Sequence, residues 1–240
     1  DATIYVGAND GMLHAFNAVT GEERFAYVPA AVIPRLASLA DPEYSHQYFV
    51  DGSPIVADVK DGSWKSVLIG SLGRGGNTLF ALDVTDPKNF NADKFMWERS
   101  YAALGQTTSK PVVARLGSGK WVAIIGYGYN NTHNSRGGLL VIDILNGGNV
   151  LWQIDLPGSV ATDNGLGQIE GWDANGDGNL DWVFAGDLHG NIWKFDLTVG
   201  DPQANGVAYG GQPLFQAKSS SGLKQPVTGG VSLAKHPKTG

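Results

Sequence analysis

The residues best equipped for chemistry lie in one stretch, Trp172-Asp173-Ala174-Asn175-Gly176-Asp177-Gly178-Asn179-Leu180-Asp181-Trp182. It reads D-x-N-x-D-G-x-x-D, with oxygen-bearing side chains at positions one, three, five and nine and glycine at position six. A hard cation such as Ca²⁺ takes about six to eight oxygen ligands at roughly 2.3–2.6 Å, and alternate residues of a tight loop can turn inward to supply them. The spacing assigns side-chain oxygens to Asp173, Asn175, Asp177 and Asp181 and a backbone carbonyl to Asn179, with Gly178 making the sharp turn. Position twelve is Phe184 instead of Glu, so the loop is not an EF-hand and Asp181 must close it. Three aspartates so close together repel one another unless a cation is present. Mg²⁺ suits the loop less well, since it keeps more of its waters. The same residues also suit an ordinary solvated hairpin turn.

Other candidates carry less. His14, His46, His133, His189 and His236 show no paired metal-ligand spacing, and neither a G-x-S-x-G elbow nor a G-x-x-x-x-G-K loop is present. Gly73-Arg74-Gly75-Gly76-Asn77 suits an anion cradle or a wide hairpin turn. Asp83, Asp143 and Asp196 recur at one position of a repeat, which points to turn capping rather than catalysis. The Tyr127–Ser135 loop offers aromatic and amide groups suited to carbohydrate or protein contact. No catalytic constellation stands out, so a non-enzymatic role is expected.

The elements that must position these residues follow from composition and periodicity. With 17 basic against 23 acidic residues the formal charge is −6, which argues against nucleic acid or anionic membrane as the main partner. The absence of cysteine excludes disulfides, thiol catalysis and thiolate metal sites. No apolar run approaches the roughly eighteen residues of a membrane span. The chain begins at Asp1 without Met and reads as trimmed or processed. A 42% hydrophobic content supports a packed core, and 34 glycines beside aromatic and β-branched runs suit short strands and tight turns.

Four apolar runs close on Gly7, Gly70, Gly126 and Gly186, spaced by 63, 56 and 60 residues. Each is followed by a Gly- or Asn-rich turn and a second apolar run, at Leu13–Asn17, Leu79–Asp83, Leu139–Asp143 and Ile192–Asp196. A third run follows at Glu23–Tyr27, Phe95–Glu98, Val150–Ile154 and Pro213–Gln216. A further run precedes the later units at Pro54–Asp58, Pro111–Arg115 and Gln168–Trp172, with another expected from Pro226 to Leu233. Four antiparallel strands per unit at this period predict an all-β fold, a β-propeller of about four four-stranded blades within a single domain over 1–240. The blades form either a closed ring sealed by both termini or an arc of a larger ring. The length of the blades and the interrupted hairpin at Pro237–Gly240 favour the arc. An insertion at about 29–52 carries apolar residues at 32, 33, 36 and 39. This predicts a short amphipathic helix, kinked at Pro34, that serves as a cap or a partner-binding ridge.

Val6-Gly7-Ala8-Asn9-Asp10-Gly11-Met12-Leu13-His14-Ala15-Phe16, then His46-Gln47-Tyr48-Phe49-Val50-Asp51-Gly52-Ser53-Pro54, then the Asp173–Asp181 loop, resemble in order the C-terminal propeller of the PilY/PilC-type pilus-tip proteins. These are type IV pilus biogenesis factors and adhesins of Gram-negative bacteria. The resemblance spans the chain and implies an arc of a modified seven-bladed ring. It also implies Ca²⁺ at Asp173, Asn175, Asp177, Asn179 and Asp181, with ion occupancy controlling pilus extension against retraction in support of twitching motility and attachment. It further implies partners among the minor pilins and host or abiotic surfaces, and a location at the pilus tip or cell surface, outer-membrane associated or periplasmic. The family's N-terminal adhesive region is not in this sequence, nor is an Arg-Gly-Asp tripeptide. The alternatives are an arc of a quinoprotein dehydrogenase, which would hold pyrroloquinoline quinone beside an axial Ca²⁺, and a carbohydrate-binding propeller.

Overall fold

The computed structural model describes residues 2–133, 135–158 and 163–235. His236 and the 237–240 hairpin of the sequence reading lie outside them. The strands are β1 (Thr3–Gly7), β2 (Leu13–Asn17), β3 (Glu23–Tyr27), β4 (Ile55–Asp61), β5 (Ser63–Ser71), β6 (Thr78–Asp83), β7 (Phe95–Ser100) and β8 (Val112–Arg115). They continue with β9 (Trp121–Gly126), β10 (Gly138–Asp143), β11 (Asn149–Asp155), β12 (Leu166–Trp172), β13 (Trp182–Asp187), β14 (Asn191–Asp196) and β15 (Phe215–Gln216). Every ladder is antiparallel between sequence neighbours, giving one sheet β1-β2-β3 and the four-stranded sheets β4-β5-β6-β7, β8-β9-β10-β11 and β12-β13-β14-β15. These are four blades of a β-propeller, in the register that the sixty-residue period predicts. Among the described residues β1 is a free edge of the first sheet, so the run from Pro226 to Leu233 does not seal the ring there. That run forms no ladder and touches blade four through Val227 N–H donating to Asp187 O at 2.9 Å.

The blades hold together because side chains alternate across each strand and the inner strands of blades two and three bury both faces. Within β9, Ala123 and Ile125 join the seam with blade two, while Val122 and Ile124 join the seam with blade four. In β6, Leu79 and Ala81 face blade three, and Phe80 and Leu82 face blade one. The glycine closing each apolar run has a packing reason as well as a turn reason. Gly70 pairs with Phe80 across β5 and β6, and a Cβ built on Gly70 would lie 2.2 Å from Phe80 Cζ. Polar clips cross the seams too: Trp97 Nε1 donates to Ile144 O at 2.8 Å and Tyr101 Oη to Gly148 O at 2.6 Å.

The insertion is a 3₁₀ segment, Ala30–Ala40, instead of an α-helix. Pro34 removes a donor from its middle, and the tighter winding puts Val32 and Leu36 on the blade-one core beside Leu13, leaving Ile33 and Leu39 exposed. Glu98 of β7 fastens its start, accepting from Tyr27 Oη (2.6 Å) and from the N–H groups of Ala30 (2.9 Å) and Ala31 (2.8 Å).

Candidate metal centre

The Asp173–Asp181 loop joins β12 to β13 at the edge of blade four. Its fold is a run of short side-chain-to-backbone turns, the local conformation that Asp and Asn favour. Asp173 Oδ1 accepts from Gly176 N–H (2.7 Å) and Asp177 N–H (3.3 Å), and its Oδ2 accepts from Gly178 N–H (2.7 Å). Asn175 Oδ1 accepts from Asp177 N–H (2.9 Å) and Asp177 Oδ1 from Asn179 N–H (2.8 Å). Gly176 and Gly178 sit at φ +79° and +83°, a region closed to most side chains, and this lets the backbone coil round Asp173. The N–H donors, led by that of Gly178, hold the Asp173 carboxyl below the usual carboxylate range, so it is a carboxylate at neutral pH.

The far end of the loop is anchored in the core. Asp181 is buried and its Oδ2 accepts from Ala174 N–H at 2.9 Å, which ties the two ends of the loop together. Leu180 packs into the seam between blades three and four, and its N–H donates to Arg115 O of β8 at 2.8 Å. Arg115 Nη1 donates to Asn179 Oδ1 at 3.2 Å, so the Asn179 side chain faces the neighbouring blade.

The donor set fits a hard cation by chemistry: five oxygen-bearing residues and no nitrogen or sulfur ligand. The structure coils Asp173, Asn175 and Asp177 about one short stretch of backbone. It does not draw the three carboxylates to one point, and among the described residues no group of three or more acidic or imidazole side chains is placed to hold a metal. The lone pairs instead engage the loop's own N–H groups, and Asn175 Nδ2 donates to Asp177 Oδ2 at 3.2 Å.

The other sequence candidates resolve simply. Asp83 and Asp196 cap the turns after β6 and β14, each accepting from the N–H and hydroxyl of the threonine two residues on. Asp143 instead pairs with Lys120 at 2.6 Å. Among its described residues, the Tyr127–Ser135 loop presents no fully exposed tyrosine. Tyr127 is fully buried, its phenol donates to Asp155 Oδ1 at 2.6 Å, and burial pushes that phenol far up. Tyr129 is half-buried, and Asn134 lies outside the described residues.

Sequence reasoning missed Asp187, a fully buried carboxylate at the end of β13. Its Oδ1 accepts from His189 N–H (2.9 Å) and Asn191 N–H (2.8 Å). Its Oδ2 accepts from Asn164 Nδ2 (3.0 Å), Asn191 Nδ2 (2.8 Å) and Trp193 Nε1 (2.8 Å). The clue was present in the Asp-x-His-Gly-Asn turn, where an aspartate two residues ahead of a hairpin can gather its N–H groups.

Comparison with known proteins agrees with this architecture. The family model described as the PilY1 beta-propeller domain matches residues 1–240. The type IV pilus biogenesis factor PilY1 homolog of Xylella fastidiosa is 44% identical over 255 residues, covering 99% of this chain and 17% of that protein. PilY1 of Pseudomonas aeruginosa PAO1 is 44% identical over 257 residues, covering 98% of this chain and 22% of that protein. The chain thus spans about a fifth of the length of these relatives. The crystal structure of the P. aeruginosa PilY1 C-terminal domain superposes with a TM-score of 0.82 at 43% identity, over 98% of this chain and 50% of that one. A quinohemoprotein alcohol dehydrogenase from Pseudomonas putida reaches a TM-score of 0.50 at 13% identity, covering 94% of this chain and 36% of that one, a likeness of fold alone. The sixty-residue blades, the open β1 edge and these matches lead to one conclusion: the chain belongs to the PilY1 β-propeller domain family of type IV pilus biogenesis factors.

Proposed function

We propose that this propeller is a non-enzymatic, Ca²⁺-binding part of a type IV pilus protein. Occupancy of the Asp173–Asp181 loop would set the balance between pilus extension and retraction, in support of twitching motility and adhesion. The observation that carries the reading is the coiling of the loop round Asp173, with side-chain oxygens at alternate residues and the far end fixed by Asp181. Asp173, Asn175, Asp177 and Asp181 would hold the ion through side-chain oxygens and Asn179 through its carbonyl, which requires the carboxylates to turn toward a common point from the positions they occupy here. A bound ion supplies positive charge that offsets three neighbouring carboxylates.

The chain's own residues then relay loop order to the ring. Arg115 and Leu180 tie the loop to blade three, so a loosened loop loosens the seam between blades three and four. A partner docked across that seam would sense the difference, through its unequal affinity for the two states. Such partners would be minor pilins, with host or abiotic surfaces beyond them, and the location would be the pilus tip or cell surface, outer-membrane associated or periplasmic. The quinoprotein alternative is left with likeness of fold, and a carbohydrate site on the Tyr127–Ser135 loop loses Tyr127, whose ring is buried.

The test is calorimetric Ca²⁺ titration of the calcium-stripped protein beside Asp177→Ala, followed by retraction assays in cells carrying the substitution. A single site of micromolar-range affinity, lost in the variant along with normal retraction, is the expected result. Absence of binding leaves an ordinary turn and refutes the metal site. Binding that resists chelation, with unchanged retraction in the variant, refutes the regulatory role.

A further inference from the structure

The turn between β5 and β6 carries Arg74 on a single 3₁₀ turn, Gly73–Gly75. The guanidinium lies 5.3 Å from the ring centroid of Tyr48, and its Nη1 donates to Tyr48 Oη at 3.1 Å. His46 meets the same ring edge-on at 4.9 Å. Arg35 fixes this arrangement from below, donating to Tyr48 O (3.2 Å) and Gly75 O (2.7 Å) and stacking over Phe49. Across the blade boundary Thr107 N–H donates to Gly73 O at 3.3 Å. Arg74 is therefore held in place by its neighbours while facing solvent, and among the described residues it forms no ion pair.

Arg74 opens on a cleft of about 310 Å³ whose other walls include Asp51, Ser53, Thr108 and Ser109. Asp51, Gly52 and Ser53 also wall a second cleft of about 220 Å³ that ends at Lys110, likewise without an ion pair among the described residues. Both clefts lie where the chain crosses from the last strand of one blade to the first strand of the next, on residues 48–53 and 107–110. Two unpaired cations in a chain of formal charge −6 select an anionic group. A guanidinium positioned by an aromatic ring matches a carboxylate in two-pronged fashion.

The remaining walls narrow the ligand. They are hydroxyls and one carboxylate, with Tyr48 the only ring in the larger cleft, so the apolar side chains of a peptide would find nothing to bury against. Asp51 would repel a phosphate dianion more strongly than a monoanionic carboxylate, yet would accept from ligand hydroxyls, as would the Ser53 and Thr108 oxygens. The volume is at the lower end of small-ligand sites, about 300–1,000 Å³. We propose that this cleft binds an acidic sugar residue of the uronate type. Its carboxylate would lie on Arg74, within reach of the field of Lys110, and its ring hydroxyls would face the exposed side chains of Asp51, Ser53 and Thr108. The site is independent of the metal loop, which lies on a different blade.

Saturation-transfer NMR and calorimetry on the full-length protein with D-glucuronate, D-glucose, acetate, inorganic phosphate and a diglutamate peptide test the assignment. Glucuronate should bind at least tenfold more tightly than each of the others. Arg74→Gln should weaken it tenfold or more with unchanged circular dichroism, Arg74→Lys should recover it only in part, and Lys110→Gln should weaken it a few fold. Equal binding of glucose, equal binding of acetate or phosphate, tighter binding of the peptide, no binding at all, or indifference to Arg74→Gln would each overturn the proposal.

Discussion

Replacing Asp187 by Ala should strongly destabilise blade four. The carboxylate is fully buried and gathers five N–H donors, and no cation pairs with it among the described residues. The side-chain donors of Asn164, Asn191 and Trp193 can reorient or recruit water once the acceptor is gone. The backbone N–H groups of His189 and Asn191 are fixed by the hairpin and cannot. Each buried donor left without a partner costs roughly 1–3 kcal/mol, so these two set a loss of about 4 kcal/mol. For a domain of this size that corresponds to a fall in Tm of roughly 8–16 °C. Asp187→Asn keeps one oxygen for the two backbone donors but presents its own N–H₂ to Asn164 and Trp193, and should cost about half as much. Denaturant unfolding with a shared slope for the three proteins measures this directly. A loss below about 1 kcal/mol for Asp187→Ala, or an Asn variant weaker than the Ala variant, would refute the reasoning.

His14 lies between Glu23 (2.6 Å) and Asp10 (2.9 Å) and stacks on Phe16. The Glu23 hydrogen bond, opposed by partial burial and aided by Asp10, raises its pKa above the ordinary value. Its stabilisation is therefore complete below the unfolded imidazole value of about 6.5 and is lost as pH rises through the folded value. His14→Gln should flatten that decline in a pH series of melting curves. Gly70→Ala should cost about 1–3 kcal/mol by driving a methyl group into the ring of Phe80, and Phe80→Leu in the same chain should recover part of it in a double-mutant cycle. Glu98→Ala removes the shared acceptor of Tyr27, Ala30 and Ala31 and should speed amide exchange at Ala30 and Ala31, with a stability loss of about 1–3 kcal/mol. Unchanged exchange there would mean that core contacts of Val32 and Leu36 suffice to hold the 3₁₀ segment.

The architecture was legible because a blade writes itself into sequence twice. Continuous apolar runs such as Val122–Ile125 announce strands buried on both faces, and turn residues between runs announce hairpins. The Asp/Thr caps at 83–85 and 196–198 were legible for the same reason, since they recur in phase with the strands. What escaped depends on contacts between distant segments. Pro226–Leu233 has strand-like composition but joins no ladder among the described residues, and composition carries no record of which edge a run can reach. Tyr127 looked exposed because it sits in a polar run, yet Asp155, 28 residues further on, draws its phenol into the core. At the metal loop, residue types and spacing were readable, whereas the engagement of each oxygen with a particular N–H is a three-dimensional fact. The Arg74 cleft was visible only as a glycine-rich turn, since Tyr48 and Thr107–Ser109 reach it from separate crossovers.

The alternation of side chains across each blade means that no blade owns a core. Each of the three apolar clusters belongs to two neighbouring sheets, so the smallest cooperative unit in this stretch is a seam rather than a sheet. Stability then behaves like that of a one-dimensional array with nearest-neighbour coupling. Blades two and three are each gripped by two seams, whereas blades one and four are each gripped by one within this stretch. Fraying should therefore start at the outer blades and advance inward, and a lesion in β9 or β10 should weaken two neighbours at once where one in β2 weakens a single neighbour.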